Sequence, residues 1–228
     1  MIASLAPRFA KLPPAQLRLW PAFRPSVSLG FVLYGGTAVS LHLGHRRSAD
    51  FDFFQDRALD RDSIRAAFSF MSAAETLQET TDTLVALVPG KHLGGGTPVK
   101  VAFFGALRFG RVGDPLLTRD GVAEVASLDD LMAHTLKVVL QRAEKKDYAD
   151  IAAMLRAGVP LDRGLAAARL FFGSAFQPAA SLRALSFFKD GDLARLVQAD
   201  RRALIEAAAA VGDLPHLALR SRELAIRV

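Results

Sequence analysis

The sequence predicts an α+β protein, with a front half of strands and helices followed by a region that is helical throughout. Three observations carry that reading. Short apolar runs at residues 31–34, 83–88 and 99–104 have the length and turn-rich flanks of buried strands. An alternating stretch, Asp50-Phe51-Asp52-Phe53-Phe54, has the period of a strand with one buried face. After Ser127 the composition turns to Ala, Leu and Arg, with apolar residues at helical spacing. The change falls within 115–127, so we expect two domains, 1–120 and 121–228, which the 228 residues are enough to build.

Taken in order, residues 1–25 read as an N-terminal helix or arm punctuated by Pro13, Pro14, Pro21 and Pro25. Phe31-Val32-Leu33-Tyr34 is a buried strand running into Gly35-Gly36. A helix follows from Thr37 to Leu43 and stops at Gly44, where a C-terminal glycine belongs. His45 to Ala49 is a polar connection, and the Asp-Phe strand comes next. Residues 61–73 predict a helix. Residues 83–88 and 99–104, joined by the glycine-rich 91–98, predict a hairpin. Ser127-Leu128-Asp129-Asp130 resembles a capping box opening a helix whose apolar face is Leu136, Val139, Leu140 and Ala143. A second helix runs from Asp147 to Ala157 and ends at Gly158-Val159-Pro160, with two or three more beyond it. The paired phenylalanines at 103–104, 171–172 and 187–188 read as core, because none is interleaved with basic residues.

Composition narrows the chemistry. With 51% hydrophobic residues a packed core is available and bulk disorder is excluded. There is no cysteine, so disulfide frameworks and thiolate metal sites are excluded and a reducing, cytoplasmic setting is expected. No stretch is long and apolar enough to predict a bilayer span, and residues 1–20 lack the layout of a signal peptide. The net charge of +6 favours phosphate-rich partners such as nucleotides or tRNA, or an acidic protein. A Walker A loop, a dinucleotide fingerprint, a Gly-x-Ser-x-Gly elbow and a zinc-protease helix are all absent.

The chemistry-bearing constellation begins with Asp50 and Asp52. Two apart on a strand, their side chains share a face, about 7 Å apart along the chain. Carboxylates held side by side repel unless a cation lies between them, and Mg²⁺ (or Mn²⁺) suits oxygen ligands shared with substrate phosphates. The plainer alternative is an edge strand with solvated acids. Gly35-Gly36-Thr37 adds a second signal: glycines permit close backbone approach, and the free N–H groups of a helix start form an anion site, with Thr37 able to cap the helix or donate to phosphate. One short helix separates this corner from the acid pair, so both could grip one nucleoside triphosphate.

The stretch from Tyr34 through Gly35, Gly36, Leu41, Gly44, His45, Arg46, Ser48, Asp50 and Asp52 to Phe54 closely resembles the first motif of the AbiEii-like nucleotidyltransferases, toxins within the DNA polymerase β-like superfamily. Lys137, Arg142, Lys146-Asp147 and Asp150-Ile151 resemble the family's later lysine helix and Lys-Asp-x-x-Asp-Ile segment. The resemblance implies a polymerase β-like core with a small mixed sheet. It also implies a transfer of a nucleoside monophosphate from an NTP to an acceptor hydroxyl, an RNA acceptor such as tRNA, and an antitoxin partner. It assigns Mg²⁺ ligation to Asp50 and Asp52 and triphosphate binding to Gly35, Gly36 and Thr37. Arg46 and Ser48 would contact phosphate or brace the turn. Lys137 would neutralise phosphate charge, and Asp147 or Asp150 would fix that lysine or assist the attacking group.

One departure stands out. The superfamily places a third carboxylate on a later strand, and the strand at 99–104 holds Ala102 at the expected position. Asp114, Asp147 or Asp150 would have to substitute. The rival expectation is therefore a catalytically impaired nucleotide- or RNA-binding module on the same fold, and a kinase-like or protein-modifying transferase is a third.

Overall fold

The computed structural model describes residues 4–226, which form two compact units. The first takes in the chain through Gly110, Asp114–Ala126 and the segment from Ser221 on; the second takes in Arg111–Gly113 and Ser127–Arg220. The change of unit thus falls at Ala126/Ser127. A cut at 120 would split a strand pair, as the sheet makes plain.

In chain order the first unit contains β1 (Ser4–Leu5), α1 (Pro14–Leu19), α2 (Pro25–Ser28), β2 (Val32–Tyr34) and α3 (Gly35–Leu43). It continues with β3 (Phe51–Phe54), α4 (Arg61–Ala67), β4 (Glu75–Thr80), β5 (Thr83–Val88), β6 (Val99–Phe104), β7 (Leu116–Thr118) and β8 (Glu124–Val125). All eight strands join one mixed sheet in the order β1-β7-β8-β2-β3-β6-β5-β4. The predicted strands at 31–34, 50–54, 83–88 and 99–104 are its centre and the β5–β6 hairpin. β4, β7 and β8 were not predicted, and β1 lies inside the stretch expected to be helix or arm. Residues 61–73 do not form one helix: α4 stops when Phe68 turns extended (φ −98°, ψ 104°), and residues 69–72 resume as a 3₁₀ turn.

The sheet has two different faces because strand side chains alternate. Phe51 and Phe53 point to the buried face, where Phe23 packs at centroid distances of 4.5 and 5.0 Å and Phe103 stacks on Phe53 at 5.5 Å. Fixing β3 by two buried rings fixes its register, since a one-residue slip would bury the aspartates instead. Tyr34 and Phe54 stack at 4.7 Å on the opposite face. The C-terminal segment closes on the same unit, Leu224 N–H donating to Asp56 and Ile226 N–H to Glu124.

The second unit is built from α5 (Leu128–Val138), α6 (Lys145–Arg156), α7 (Leu161–Phe172), α8 (Pro178–Ala184) and α9 (Gln198–Ala210). The predicted cap is present: Ser127 Oγ accepts the Asp130 N–H at 3.1 Å. The Asp130 side chain accepts from Ser127 Oγ (2.6 Å) and from the N–H groups of Val112 (2.9 Å) and Gly113 (3.3 Å), which is how residues 111–113 come to belong here. Arg163–Asp129 and Arg156–Asp200 pairs, each 2.7 Å, tie α7 to α5 and α6 to α9. Of the phenylalanine pairs expected in the core, Phe103 is fully buried, whereas Phe187 is 48% exposed.

Candidate active site

The site is assembled on the polar face of β3. β2 is buried along its whole length and delivers the chain to Gly35, whose φ of +72° turns it directly into α3. A Cβ on Gly35 would lie 2.6 Å from Asp52 Oδ2. Glycine therefore serves twice here, adopting a conformation that L-residues resist and leaving room for the carboxylate. The first turn of α3 leaves N–H groups with no intrahelical acceptor, so the Asp52 carboxyl lies against the positive end of a helix.

Asp50 immediately precedes β3 and Asp52 lies within it, paired with Tyr34 across the antiparallel β2–β3 ladder. The two acids share a face, as the alternation requires, and Asp52 is half-buried. Thr37 has a different job from the one expected. It is buried, α3 has no side-chain cap, and the Thr37 hydroxyl donates to the backbone carbonyl of Asp50. Thr37 thus locks the helix start to the strand that carries the acids instead of presenting its hydroxyl to a ligand.

The connecting loop is held from both ends. Gly44 adopts the left-handed conformation (φ 63°) and donates to Ser40 O at 2.8 Å, ending α3 as predicted. Ser40 Oγ donates to the Arg46 carbonyl at 2.7 Å, and Arg46 Nη1 donates to Arg47 O at 2.9 Å. Ser48 lies half-buried in the same loop. Burial lowers the pKa of His42, opposed by its contact with the Ala126 carbonyl (Nε2 to O, 2.9 Å), and that contact pins α3 to the residue after β8.

β6 lies parallel to β3, with Asp52 opposite Ala102 and Phe51 opposite Val101. The residue facing Asp52, where a third acid was sought, is a methyl group. One residue was missed by sequence reasoning. Lys100, two before Ala102 on the same face, puts its ammonium 3.0 Å from Asp50 Oδ2, with both side chains nearly half exposed. Its signal was the alternation Val99-Lys100-Val101-Ala102, but only the β3–β6 register reveals what it faces.

The remaining predicted residues belong to the second unit. Lys137, in the last turn of α5, donates to the Ala175 carbonyl and lies over the Phe172 ring, 5.9 Å from its centroid. Asp147, in the first turn of α6, takes a two-pronged pair from Arg142 (Nε 2.8 Å, Nη2 3.0 Å). Asp150, one turn on, is buried. The expectation that Asp147 would fix Lys137 is replaced by Arg142, whose fork matches a carboxylate and which lies five residues before Asp147 across the α5–α6 turn. Among the described residues no cluster of three or more acidic or histidine side chains is placed to share a metal ion. No helix among them is long and apolar enough to cross a membrane.

A cation would find the donor set it needs in the Asp50–Asp52 pair: two carboxylates on one face, one against a corner that a Cβ would fill. Comparison with known proteins bears on the family and the fold. A protein of Aquifex aeolicus (strain VF5), aq_aa25, is 32% identical over 141 residues, or 59% of this chain, and the match spans 64% of that protein's length. Two Helicobacter pylori crystal structures share the fold. JHP933 superposes with a TM-score of 0.52 at 15% identity, covering 85% of this chain and 88% of that one. The second superposes with a TM-score of 0.51 at 14% identity, covering 86% and 92%. The family profile of the nucleotidyl transferase AbiEii toxins of type IV toxin–antitoxin systems matches residues 22–217. With its glycine corner, its Asp50–Asp52 strand and that match over most of its length, the chain belongs to the AbiEii nucleotidyltransferase toxin family.

Proposed function

We propose that the protein is a Mg²⁺-dependent nucleotidyltransferase that moves a nucleoside monophosphate from an NTP to an acceptor hydroxyl on RNA, with tRNA the first acceptor to test. The observation that carries this reading is the contact between Asp52 and the Gly35 corner, which sets a carboxylate and the N-terminus of α3 side by side. Asp50 and Asp52 would hold the cation. The N–H groups of Gly36 and the first turn would receive triphosphate oxygens, and Arg46 and Ser48 would line the phosphate side of the loop. Lys137, Asp147 and Asp150, in the second unit, enter on the family resemblance alone, as a charge-neutralising lysine and as positioning acids on α6. The acceptor oxygen bonds to the α-phosphorus, the α–β phosphoanhydride breaks, and pyrophosphate leaves while the hydroxyl proton passes to solvent or a nearby base. The chemistry a divalent cation supplies when bound there is polarisation of the α-phosphate and neutralisation of the leaving group. The toxin assignment of the family supports an antitoxin partner for this chain as well.

The test is incubation of the protein with each α-labelled NTP, Mg²⁺ and total RNA, scoring what becomes labelled. Label on RNA that Asp50→Ala abolishes is the expected result. Titration calorimetry with Mg²⁺ and the four nucleotides checks binding separately, and no binding to any of them sinks the reading. The second reading, a nucleotide- or RNA-binding module without catalysis, draws on the methyl group of Ala102 opposite Asp52. Binding that Asp50→Ala removes, with no label on any acceptor, would favour it.

A further inference from the structure

We propose that Lys100 is a built-in cation of the acid pair, so that the centre takes one divalent metal ion and uses the lysine ammonium in place of a second. The inference rests on the nucleotidyltransferase reading and assigns charge within that same site.

The argument is one of charge and register. A centre that clamps two divalent ions needs carboxylates enough to offset them, commonly three. Here β3 supplies two, and the facing position on β6 carries a methyl group instead of a third. The same strand, one pleat earlier and on the same face, carries a lysine whose Nζ lies 3.0 Å from Asp50 Oδ2. Asp50, Asp52 and Lys100 together carry a formal charge of −1. That suits a single divalent ion together with a polyanionic triphosphate, and it is ill matched to two such ions. Lys100 also rises from the middle of the sheet, between β3 and β5, where the strand fixes its Cα. Its four-carbon stem lets the ammonium move from Asp50 to a phosphate oxygen once the aspartate turns to a metal ion.

A cation beside a metal site has a signature with two opposite signs. Without nucleotide, the lysine competes with the metal for Asp50, so removing it should tighten metal binding. With a triphosphate present, the lysine attracts the phosphates, so removing it should weaken binding. A unit charge about 5 Å from a divalent ion in water-like surroundings changes its affinity roughly tenfold. A residue that merely supports the sheet would weaken both when removed.

The experiment titrates Mn²⁺ into the full-length protein, counting bound ions by loss of the free-ion electron paramagnetic resonance signal. It then titrates Mn²⁺ with inorganic tripolyphosphate, a probe that carries no base and so avoids the question of nucleotide preference. Wild type should bind one Mn²⁺. Lys100→Met should bind one Mn²⁺ about tenfold more tightly and Mn²⁺–tripolyphosphate several-fold more weakly. The double variant Lys100→Met/Ala102→Asp should bind two. Thermal melts with EDTA verify that each variant is folded, and Lys100→Arg, which keeps the charge, serves as a second probe and should resemble wild type in both titrations. Two Mn²⁺ ions in wild type, or a Lys100→Met variant whose two affinities are unchanged or move the same way, would overturn the role given to Lys100 while leaving the nucleotidyltransferase reading intact. Absence of Mn²⁺ from wild type and every variant would overturn both.

Discussion

The carboxylates of the first unit and those of the second are the same chemical group in opposite circumstances. Asp50 is nearly half exposed, its neighbour Asp52 faces a corner with no room for a Cβ, and the cation nearest Asp50 is a flexible lysine. Asp130 is 1% exposed and encloses three donors, two of them backbone N–H groups. Asp147 is 5% exposed and takes both prongs of one guanidinium. A carboxylate whose lone pairs are already used holds structure together. One that is nearly half exposed and faced by a flexible lysine, as Asp50 is, is suited to hold something that arrives. The sequence alone offers little to separate the two sets, because both sit next to turns and helix starts; exposure separates Asp50 from Asp130 and Asp147.

The sharpest way to break this contrast is at Asp52. Asp52→Asn keeps the volume and removes the charge, so transfer of label from NTP should fall by at least about a thousandfold, on the order of 4 kcal/mol of transition-state stabilisation. Its thermal melting temperature should stay near that of wild type, because asparagine keeps the volume and much of the hydrogen-bonding reach of this half-buried side chain. A large loss of melting temperature with activity retained per folded molecule would place Asp52 among the structural acids and erase the distinction.

What the sequence made legible follows from which interactions are local. The Gly35-Gly36 corner, the C-terminal Gly44, the Asp-Phe alternation and the Ser127 cap all announce themselves within a few residues, and each is where the sequence predicts it. β4 was not legible because all six of its residues, Glu75 to Thr80, are exposed, which removes the apolar alternation that marks a strand. β1, β7 and β8 are two or three residues long and owe their existence to partners more than a hundred residues away or to one another across a tight turn. Lys100 illustrates the same limit at the site. Its partner Asp50 is fifty residues distant, and only the parallel β3–β6 register brings them together. Thr37 was legible as a residue of the corner but not in its role, since its acceptor is a backbone carbonyl on the next strand.

The second way to sharpen the contrast is by pH. Burial pushes the Asp130 carboxyl up from 3.8 to about 6 despite the donors around it. Its folded-state pKa therefore lies above the unfolded value, and the protonated form is favoured by folding. The stability this contributes is fully present below about pH 3.8 and is lost as pH rises to about 6, a change on the order of 2–3 kcal/mol. His134, pushed down to about 3 by burial, has the opposite slope: its contribution is present above pH 6.5 and is lost as pH falls. Wild type alone will mix the two. Urea unfolding of wild type and Asp130→Asn at pH 4 and pH 7 separates them, because His134 is common to both. Wild type should be favoured over the variant at pH 4 by on the order of 2 kcal/mol more than at pH 7. A difference that does not change with pH would mean the carboxylate stays ionised throughout.

The smallest expected effect tests whether Asp147 stands on the structural side at all. Asp147→Ala removes both acceptors from Arg142, but that guanidinium is 46% exposed and can turn to water or to Glu144, already 3.6 Å away. An unpaired buried charge is therefore not left behind, and the loss should be limited to about 1–2 kcal/mol, read as a lower urea midpoint with an unchanged slope. If Asp147 only braces the first turn of α6, activity per folded molecule should fall by no more than a few-fold. Asp147→Asn, which keeps one acceptor for the arginine, should recover part of the stability. If instead the midpoint holds and label transfer disappears in both variants, Asp147 touches the reacting groups itself. Burial and a full set of donors would then be insufficient grounds for reading a carboxylate in this protein as structural.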